Sequence, residues 1–378
     1  MREIVIAGYA RSPFHPAHKG ALARVRPDEL AAQVIAALIE RTGVDPNAIE
    51  DVIVGCAFPE GEQGLNVGRL IGFLVGLPER AAATTVNRFC GSSMQAVHMA
   101  AGAIAMNAGE AFVCAGVESM TRVPMMGFNP MPHPGLARAY PQAYVSMGET
   151  AENLARLHQI ARRDQEEFAA RSQRKAADAQ TAGRLAAEIV PIRVKDAMVD
   201  RDGCIRAETT IEKLAELKPA FDAAGTVTAG TSSPLTDGAS ALLVTSAEFA
   251  RDHGLKDLAR VRSVAVAGCA PEIMGIGPVP AAQKALDRAG LRLADMDVIE
   301  LNEAFAAQAL AVIRTMGIDE ARLNLDGGAI ALGHPLGASG ARITGKAASI
   351  LRREGKTLAL ATMCIGGGQG IATVLEAV

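Results

Sequence analysis

The sequence feature that most constrains the fold is an internal repeat. Segments 31–33, 39–44 and 51–53 return in the same order near the other end of the chain, as 281–283, 286–291 and 297–299. Each set combines a helical pattern with a strand-like run that follows it. We interpret the repeat as a duplicated βαβ unit whose second copy begins near Leu258.

The duplication predicts an α/β fold with pseudo-twofold symmetry. Strands that alternate with helices favour mostly parallel sheets covered on both faces. Each copy also has a glycine-rich turn that enters an alanine-rich helix, at Cys90 in the first copy and at His334 in the second. We therefore expect these two groups to meet across the pseudo-twofold axis. The expected segments are an N-terminal half over 1–116, an insertion with a return to that half over 117–250, and a C-terminal half over 251–378.

The insertion differs in character from both copies. Residues 120–144 are rich in Met, Pro and Gly and have no clear period, which predicts a long loop. Long loops in compact domains tend to be functional. A polar helix is predicted over about 151–182, and a turn-prone stretch rich in small polar residues follows at 226–234.

Composition limits the class of protein. The chain has 378 residues, 49% of them hydrophobic, which is enough to bury a large core. The net charge of −3 gives no general attraction to nucleic acid or to anionic membranes. The N-terminus reads as a strand and not as a signal peptide, and no apolar run reaches membrane-spanning length. A cytoplasmic location is expected, with no membrane insertion, while a mitochondrial or peroxisomal address is left open.

The cysteines indicate a reducing compartment and one reactive thiol. Six cysteines are scattered without CxxC pairs, so that neither a zinc site nor a disulfide framework is indicated. Cys90 stands where a strand-like run ends and a helical pattern begins. A helix N-terminus favours the thiolate, so we expect the pKa of Cys90 to be lowered. Seen alone, Cys90 is more simply read as an inert core cysteine.

Other chemically reactive residues stand beside glycines elsewhere in the chain. Asn302 opens the segment 302–305, His334 lies within the glycine-rich segment 327–335, and Cys364 precedes the glycines at 366–370. One nucleophile, one histidine and a second cysteine make a constellation suited to covalent catalysis.

These blocks resemble the four signature motifs of the thiolase family, in the expected order and over nearly the whole chain. The segments 62–66, 90–95, 133–136 and 228–233 are more similar to the degradative 3-ketoacyl-CoA branch than to the acetoacetyl-CoA-forming branch. Ser146 stands where an acetyl-specific pattern has histidine. The resemblance implies a layered α-β-α-β-α fold with an inserted loop domain.

The resemblance also implies thiolysis, in which a 3-ketoacyl-CoA and CoA give acetyl-CoA and an acyl-CoA shortened by two carbons. Cys90 would carry the acyl group, His334 would take its proton, and Cys364 would protonate the acetyl-CoA enolate. Asn302 would hold a water near His334, and the N–H groups of Cys90 and Gly366 would stabilise the second oxyanion. Residues matched to the pantetheine tunnel and its apolar wall are Ala229, Ser233, Met147, Met274 and Phe305.

Coenzyme A would be a co-substrate, with no permanently bound cofactor and no metal. A homodimer or homotetramer is expected from the alanine- and glycine-rich surfaces, and a hydratase/dehydrogenase subunit could be a further partner. Alternatives are the biosynthetic condensation of two acetyl-CoA molecules and an inactive acyl-CoA-binding homologue. A ketosynthase-like enzyme is disfavoured by Cys364, and a dinucleotide-binding fold by the strand-like pattern after Gly370.

Overall fold

The computed structural model describes residues 2–378 as a mixture of strands and helices. The strands are β1 (Ile4–Arg11), β2 (His15–Pro16), β3 (Asp51–Gly55), β4 (Ala82–Val86), β5 (Ala111–Ser119), β6 (Ile192–Val194), β7 (Ala197–Val199), β8 (Thr236–Ser246), β9 (Ala259–Gly268), β10 (Val298–Leu301), β11 (Leu358–Ile365) and β12 (Gln369–Glu376). The helices are α1 (Pro27–Thr42), α2 (Val67–Val75), α3 (Ser92–Ala105), α4 (Pro134–Ala139), α5 (Met147–Leu157), α6 (Arg162–Thr181), α7 (Ile211–Ala215), α8 (Ala247–Asp252), α9 (Pro278–Ala289), α10 (Ala306–Met316), α11 (Ala329–Leu332) and α12 (Leu336–Glu354). Within residues 2–378, no helix is long and apolar enough to cross a bilayer.

The strands form two half-sheets of matching topology. The order is β1-β8-β5-β3-β4 in the first and β9-β12-β11-β10 in the second. A parallel bridge from Ile299 to Leu323 takes the place that β4 has in the first half-sheet. The half-sheets meet where β1 pairs with β9 over Val5 and Ile6. The matching order confirms the duplication predicted from the sequence repeat.

The expectation of mostly parallel sheets is wrong. The pairs β3/β4, β3/β5 and β10/β11 are parallel, whereas β8 and β12 run antiparallel to both of their neighbours. Because the last strand of each copy is antiparallel to its neighbours, no crossover helix is needed to bring it into the sheet. In the second copy, β11 turns directly into β12 through Gly367 and Gly368, both at positive φ. A short turn of this kind joins antiparallel strands.

Three layers of helices alternate with the two half-sheets to give five layers. Helices α1 and α2 pack on the outer face of the first half-sheet, and α9 packs on the outer face of the second, beside α10. Helix α12 contacts β5 and β8 of the first half-sheet and also β10 and β11 of the second, while α3 contacts strands of both. The α3–α12 pair is therefore the central layer, as the implied α-β-α-β-α arrangement requires.

Small residues let α3 and α12 approach closely at their N-terminal ends. A Cβ at Gly340 of α12 would lie 2.4 Å from the backbone nitrogen of Met94 in α3. Strand β5 also approaches α12 closely, because a Cβ at Gly116 would lie 2.1 Å from the carbonyl oxygen of Gly337. The hydroxyl of Ser93 accepts a 2.8 Å hydrogen bond from the N–H of Ala341. This contact brings together the chain segments that precede the two helices, which carry Cys90 and His334.

The insertion lies between β5 and β8. Residues 120–144 form a largely irregular loop, as predicted, which contains α4. The single polar helix expected over 151–182 is wrong, because the chain forms α5 and α6 with a break between them. Gln159 adopts a positive φ of 51° in the break, and the side chain of Asp164 accepts a hydrogen bond from the N–H of Ala161 to begin α6.

Candidate active site

Cys90 lies in a tight turn between β4 and α3. The preceding residue, Phe89, has a φ of 41°, which is uncommon for an aromatic side chain. Two side chains hold the turn: Asn87 Oδ1 accepts a 2.8 Å hydrogen bond from the N–H of Phe89, and the Ser92 hydroxyl donates to the Phe89 carbonyl at 2.6 Å. The cysteine that follows is fixed in position and only 7% exposed.

Burial raises the pKa of the Cys90 thiol to about 11, although hydrogen bonding by the backbone N–H groups of Gly366 and of Cys90 itself opposes the shift. The expectation of a lowered pKa is therefore wrong. The helix N-terminus does favour a thiolate, but removal of the sulfur from water disfavours the charged form more strongly. Cys90 is a thiol at neutral pH and needs a base to become a nucleophile.

His334 is the candidate for that base. Its ring is buried, and burial lowers its pKa to about 3, with the charge of Arg342 acting in the same direction. Nδ1 lies 2.5 Å from the Ser339 hydroxyl, which in turn donates a 3.0 Å hydrogen bond to the Pro335 carbonyl. Ser339 uses its single hydroxyl proton in the bond to Pro335, so its oxygen can only accept from the ring. We therefore assign the ring proton to Nδ1. Nε2 then carries the lone pair.

Asn302 faces this lone pair. Its Nδ2 lies 3.3 Å from His334 Nε2 and can donate to it. Its Oδ1 is buried and has no hydrogen-bond partner among residues 2–378. Buried polar atoms are nearly always hydrogen-bonded, so a free acceptor here indicates a position where a ligand or water proton is received. Asn302 follows β10 directly, at the carboxyl end of the strand.

Cys364 lies near the end of β11, beside β10, and is fully buried. Burial raises its pKa well above the usual value, and the nearby Cys90 sulfur raises it further. The next turn brings the N–H of Gly366 to Cys90, so this hairpin supplies both the second thiol and a backbone donor.

The residues expected to form an apolar wall come together. Met147, Met274 and Phe305 pack with Cys364 in one small cluster. A Cβ at Gly366 would lie 3.4 Å from Met147 Sδ and 3.7 Å from Phe89, so the glycine surface opens toward this wall.

The other two tunnel candidates, Ala229 and Ser233, lie on a segment next to the wall. The N–H of Ser233 donates a 3.0 Å hydrogen bond to the carbonyl of Ala304, immediately before Phe305. Phe221 packs edge-on against Phe305, with ring centroids 5.7 Å apart. Ala229 begins a short 3-10 helix on the same segment and is exposed.

The sequence interpretation gave no role to three residues that shape the site. Ser339 sets the tautomer of His334, and Phe89 carries the positive φ beside the nucleophile. The buried carboxylate of Glu118 accepts hydrogen bonds from the N–H groups of Ala57 and Gly337, at 2.8 and 2.9 Å. It thereby ties the start of α12 to the first half-sheet. Ser339 lies five residues after His334 in the same glycine-rich motif, and this closeness in sequence is the signal from which its contact with the histidine could have been predicted.

Family models and relatives of known name match this chain over nearly its full length. The model of the thiolase N-terminal domain matches residues 4–248, and that of the thiolase C-terminal domain matches residues 255–377. The chain is 50% identical to a 3-ketoacyl-CoA thiolase of Aeromonas salmonicida, over 100% of both chains. It is 51% identical to one of Hahella chejuensis, over 99% of this chain and 98% of the relative.

Solved structures have the same fold. Human mitochondrial 3-ketoacyl-CoA thiolase in complex with CoA superposes with a TM-score of 0.93 at 38% identity, over 100% of this chain and 98% of that one. The Bacillus anthracis acetyl-CoA acetyltransferase superposes with a TM-score of 0.92 at 39% identity, over 100% of this chain and 99% of that one.

Proposed function

Because the chain belongs to the thiolase family, we propose that it catalyses the thiolytic cleavage of 3-ketoacyl-CoA to acetyl-CoA and a shortened acyl-CoA. The protein is an acyltransferase. Relatives named 3-ketoacyl-CoA thiolase at about half identity over the full length carry this conclusion. The buried placement of Cys90, His334, Asn302 and Cys364 supports it.

The first half-reaction uses the neutral pair formed by Cys90 and His334. Nε2 of His334 takes the thiol proton as the sulfur attacks the 3-keto carbon, so that no buried thiolate has to exist beforehand. The N–H groups of Gly366 and Cys90 already point to the sulfur, and they lie where they can donate to an oxyanion on the attacked carbon. Cleavage of the carbon–carbon bond leaves an acyl group on Cys90.

The leaving acetyl-CoA enolate needs a proton on carbon and a donor for its oxygen. Cys364 supplies the proton, and its raised pKa keeps it protonated until the enolate forms. We assign stabilisation of the enolate oxygen to His334, whose Nε2 by then carries the proton taken from Cys90, and to a water held by the free Oδ1 of Asn302. The thiol of the incoming CoA then gives its proton to the Cys364 thiolate and attacks the acyl-enzyme, and the shortened acyl-CoA leaves as the Cys90 sulfur regains its proton from His334.

The degradative reaction is the one we assign, and two observations support it. The relatives just described are named 3-ketoacyl-CoA thiolase. Ser146 stands where the acetyl-specific pattern has histidine, and its hydroxyl caps α5. The biosynthetic reaction is the alternative, because the solved acetyl-CoA acetyltransferase is as similar to this chain as the solved human 3-ketoacyl-CoA thiolase is, at 39% and 38% identity.

The cellular setting completes the proposal. We place the reaction in fatty acid β-oxidation in the cytoplasm, where the six free thiols would stay reduced. CoA and acyl-CoA are the small-molecule partners, with Ala229, Ser233, Met147, Met274 and Phe305 around the pantetheine arm. The proposed assembly is a homodimer or homotetramer, and a hydratase/dehydrogenase subunit is the proposed further partner. The division at residues 116 and 250 remains our proposal for the domain boundaries.

A kinetic series over 3-ketoacyl-CoA chain lengths tests the function. We expect thiolysis of substrates longer than acetoacetyl-CoA, and mass analysis of the peptide that contains Cys90 should find the acyl group there. The Cys90→Ala variant is the matched control and should carry no acyl group. Activity confined to the four-carbon substrate would favour the biosynthetic alternative, and acylation of Cys364 alone would overturn the assigned nucleophile.

A further inference from the structure

A cavity at the opposite end of α12 from His334 gathers an unusual number of cations. It has a volume of about 500 Å³ and lies between the C-terminal ends of α1 and α12, beside β1. Six cationic side chains line it: Arg41, Arg184, Lys256, Lys346, Arg352 and Arg353. Helix α12 begins beside His334, and about 15 Å of helix lie between its first residue, Leu336, and Lys346 in the cavity wall.

The cavity exists because the two half-sheets separate at this point. Strand β1 pairs with β9 over only Val5 and Ile6, and the β1–β8 register shifts between Ile6 and Gly8. Beyond Ile6 the side of β1 that faces away from β8 is open to the cavity, where Gly8 and Tyr9 form part of the wall. The opening is therefore built into the junction of the halves.

The cations exceed the carboxylates that face them. Lys346 lies 2.6 Å from Glu188 and 3.2 Å from Asp326. Arg184 and Arg353 also bind Asp326, at 2.8 and 2.6 Å. Glu188 and Asp326 thus pair with three of the six cations, Lys346, Arg184 and Arg353, and Glu188 also pairs with the buried Arg11. On the outer rim Glu354 binds Arg353, whereas Arg352 donates to the backbone carbonyl of Asp257.

Helix chemistry explains only part of this set. Arg352 and Arg353 stand in the last turn of α12, where cations are favoured by the helix dipole. Arg41 likewise stands in the last turn of α1, whereas Lys256 comes from the segment before β9 and Arg184 from the segment after α6. Their convergence on one cavity is not required by any single helix end.

A buried donor without a partner also belongs to this wall. Tyr9 is 8% exposed, and its hydroxyl has no hydrogen-bond partner in the part of the chain that the structure describes, residues 2–378. A phenol O–H can donate to an anionic oxygen. Tyr9 thus adds a neutral donor to a wall that already carries excess positive charge.

We propose that this cavity is a second ligand site that binds the phosphate groups of a small phosphorylated metabolite, separately from the catalytic site. Arginine forks match phosphate oxygens, and a cavity of this volume accommodates a nucleotide-sized molecule. The phosphates lie between Lys256, Arg352 and Arg184, which have exposed or half-exposed side chains, and the buried Lys346 stays paired with its carboxylates.

Titration calorimetry on the full chain tests the proposal, with pyrophosphate and ADP as probes and adenosine as the uncharged comparison. We expect saturable binding of both phosphorylated probes, weakened by added salt, and none of adenosine. Similar affinities for the two probes would identify the phosphates as the whole determinant, and tighter binding of ADP would show that the nucleoside adds contacts. Both results support the site.

A variant pair locates the binding. Lys256→Glu with Arg352→Glu should weaken pyrophosphate binding by about tenfold or more while thiolysis is unchanged. Lys356→Glu with Arg174→Glu makes the same change in net charge at exposed positions outside the cavity and should retain binding. The proposal is overturned by absence of saturable binding to the wild-type chain, by equal loss in both variants, or by binding that is competitive with CoA and insensitive to the cavity variant.

Discussion

His334 Nδ1 and the Ser339 hydroxyl lie 2.5 Å apart, and this contact fixes which nitrogen of the ring can accept a proton. Ser339 donates to the Pro335 carbonyl one helical turn back, so it can only accept from the ring. The lone pair of Nε2 is thereby directed toward Asn302.

Replacement of Ser339 tests this role. Ser339→Ala should lower kcat by about ten- to a hundredfold with little change in KM, the size of effect seen when a partner that orients a functional histidine is lost. Ser240→Ala is the matched control, since the buried hydroxyl of Ser240 donates to the Ala338 carbonyl at 2.5 Å in the same turn of α12. Equal losses of activity in the two variants would show that Ser339 only stabilises the helix.

Replacement of His334 tests the base itself. His334→Asn should retain the fold but lose activity by roughly two to four orders of magnitude, the usual contribution of general acid–base catalysis. Circular dichroism and thermal unfolding would verify the fold. Turnover near that of the wild type would show that a group other than His334 is the base.

The raised pKa of Cys90 predicts how its reactivity depends on pH. Thiolate is the reactive form, and a pKa of about 11 leaves Cys90 protonated at neutral pH. The rate of Cys90 alkylation by iodoacetamide should therefore rise by about tenfold per unit between about pH 7 and about pH 10. Mass spectrometry of the Cys90 peptide measures the rate, and Cys90→Ser sets the background from the other cysteines. A rate that levels off near pH 8 would indicate a preformed thiolate.

Assays of the two partial reactions should distinguish the roles of the two cysteines. Cys364→Ala should abolish deuterium exchange at the α-carbon of acetyl-CoA, because that step needs a thiol with proton affinity. Cys90 could still be acylated in this variant. Cys90→Ala should show the reverse, with no acyl-enzyme but residual exchange. Wild-type exchange in Cys364→Ala would leave the second cysteine with a packing role only.

Local sequence signals predicted much of the fold. The repeat between the regions around residues 31–53 and 281–299 implied two equivalent halves, and the half-sheets have matching strand order. Motifs rich in glycine marked Cys90 and His334 because close backbone approach and tight turns need particular residues at particular positions. Such requirements are met within a few residues, so they are visible in the sequence.

Properties that depend on distant packing were not predictable. The direction of β8 depends on its pairing with β1 and β5, which its own residues do not specify. The break before α6 requires only one residue at positive φ, Gln159, and no proline or glycine marks it. The pKa of Cys90 was predicted in the wrong direction, because burial of its sulfur results from the assembly of both halves.

The insertion between β5 and β8 joins the fold through a narrow base, where Ser119 pairs with Asp237 and donates to its carboxylate at 3.2 Å. Its two ends are thus neighbours in one sheet. In evolutionary terms, residues 120–235 can change in length and sequence without altering the strand order of the two half-sheets. The catalytic groups on the turns before α3 and α12 and at the ends of β10 and β11 lie outside this segment. Substrate preference can therefore diversify in this lineage while the chemistry is inherited unchanged.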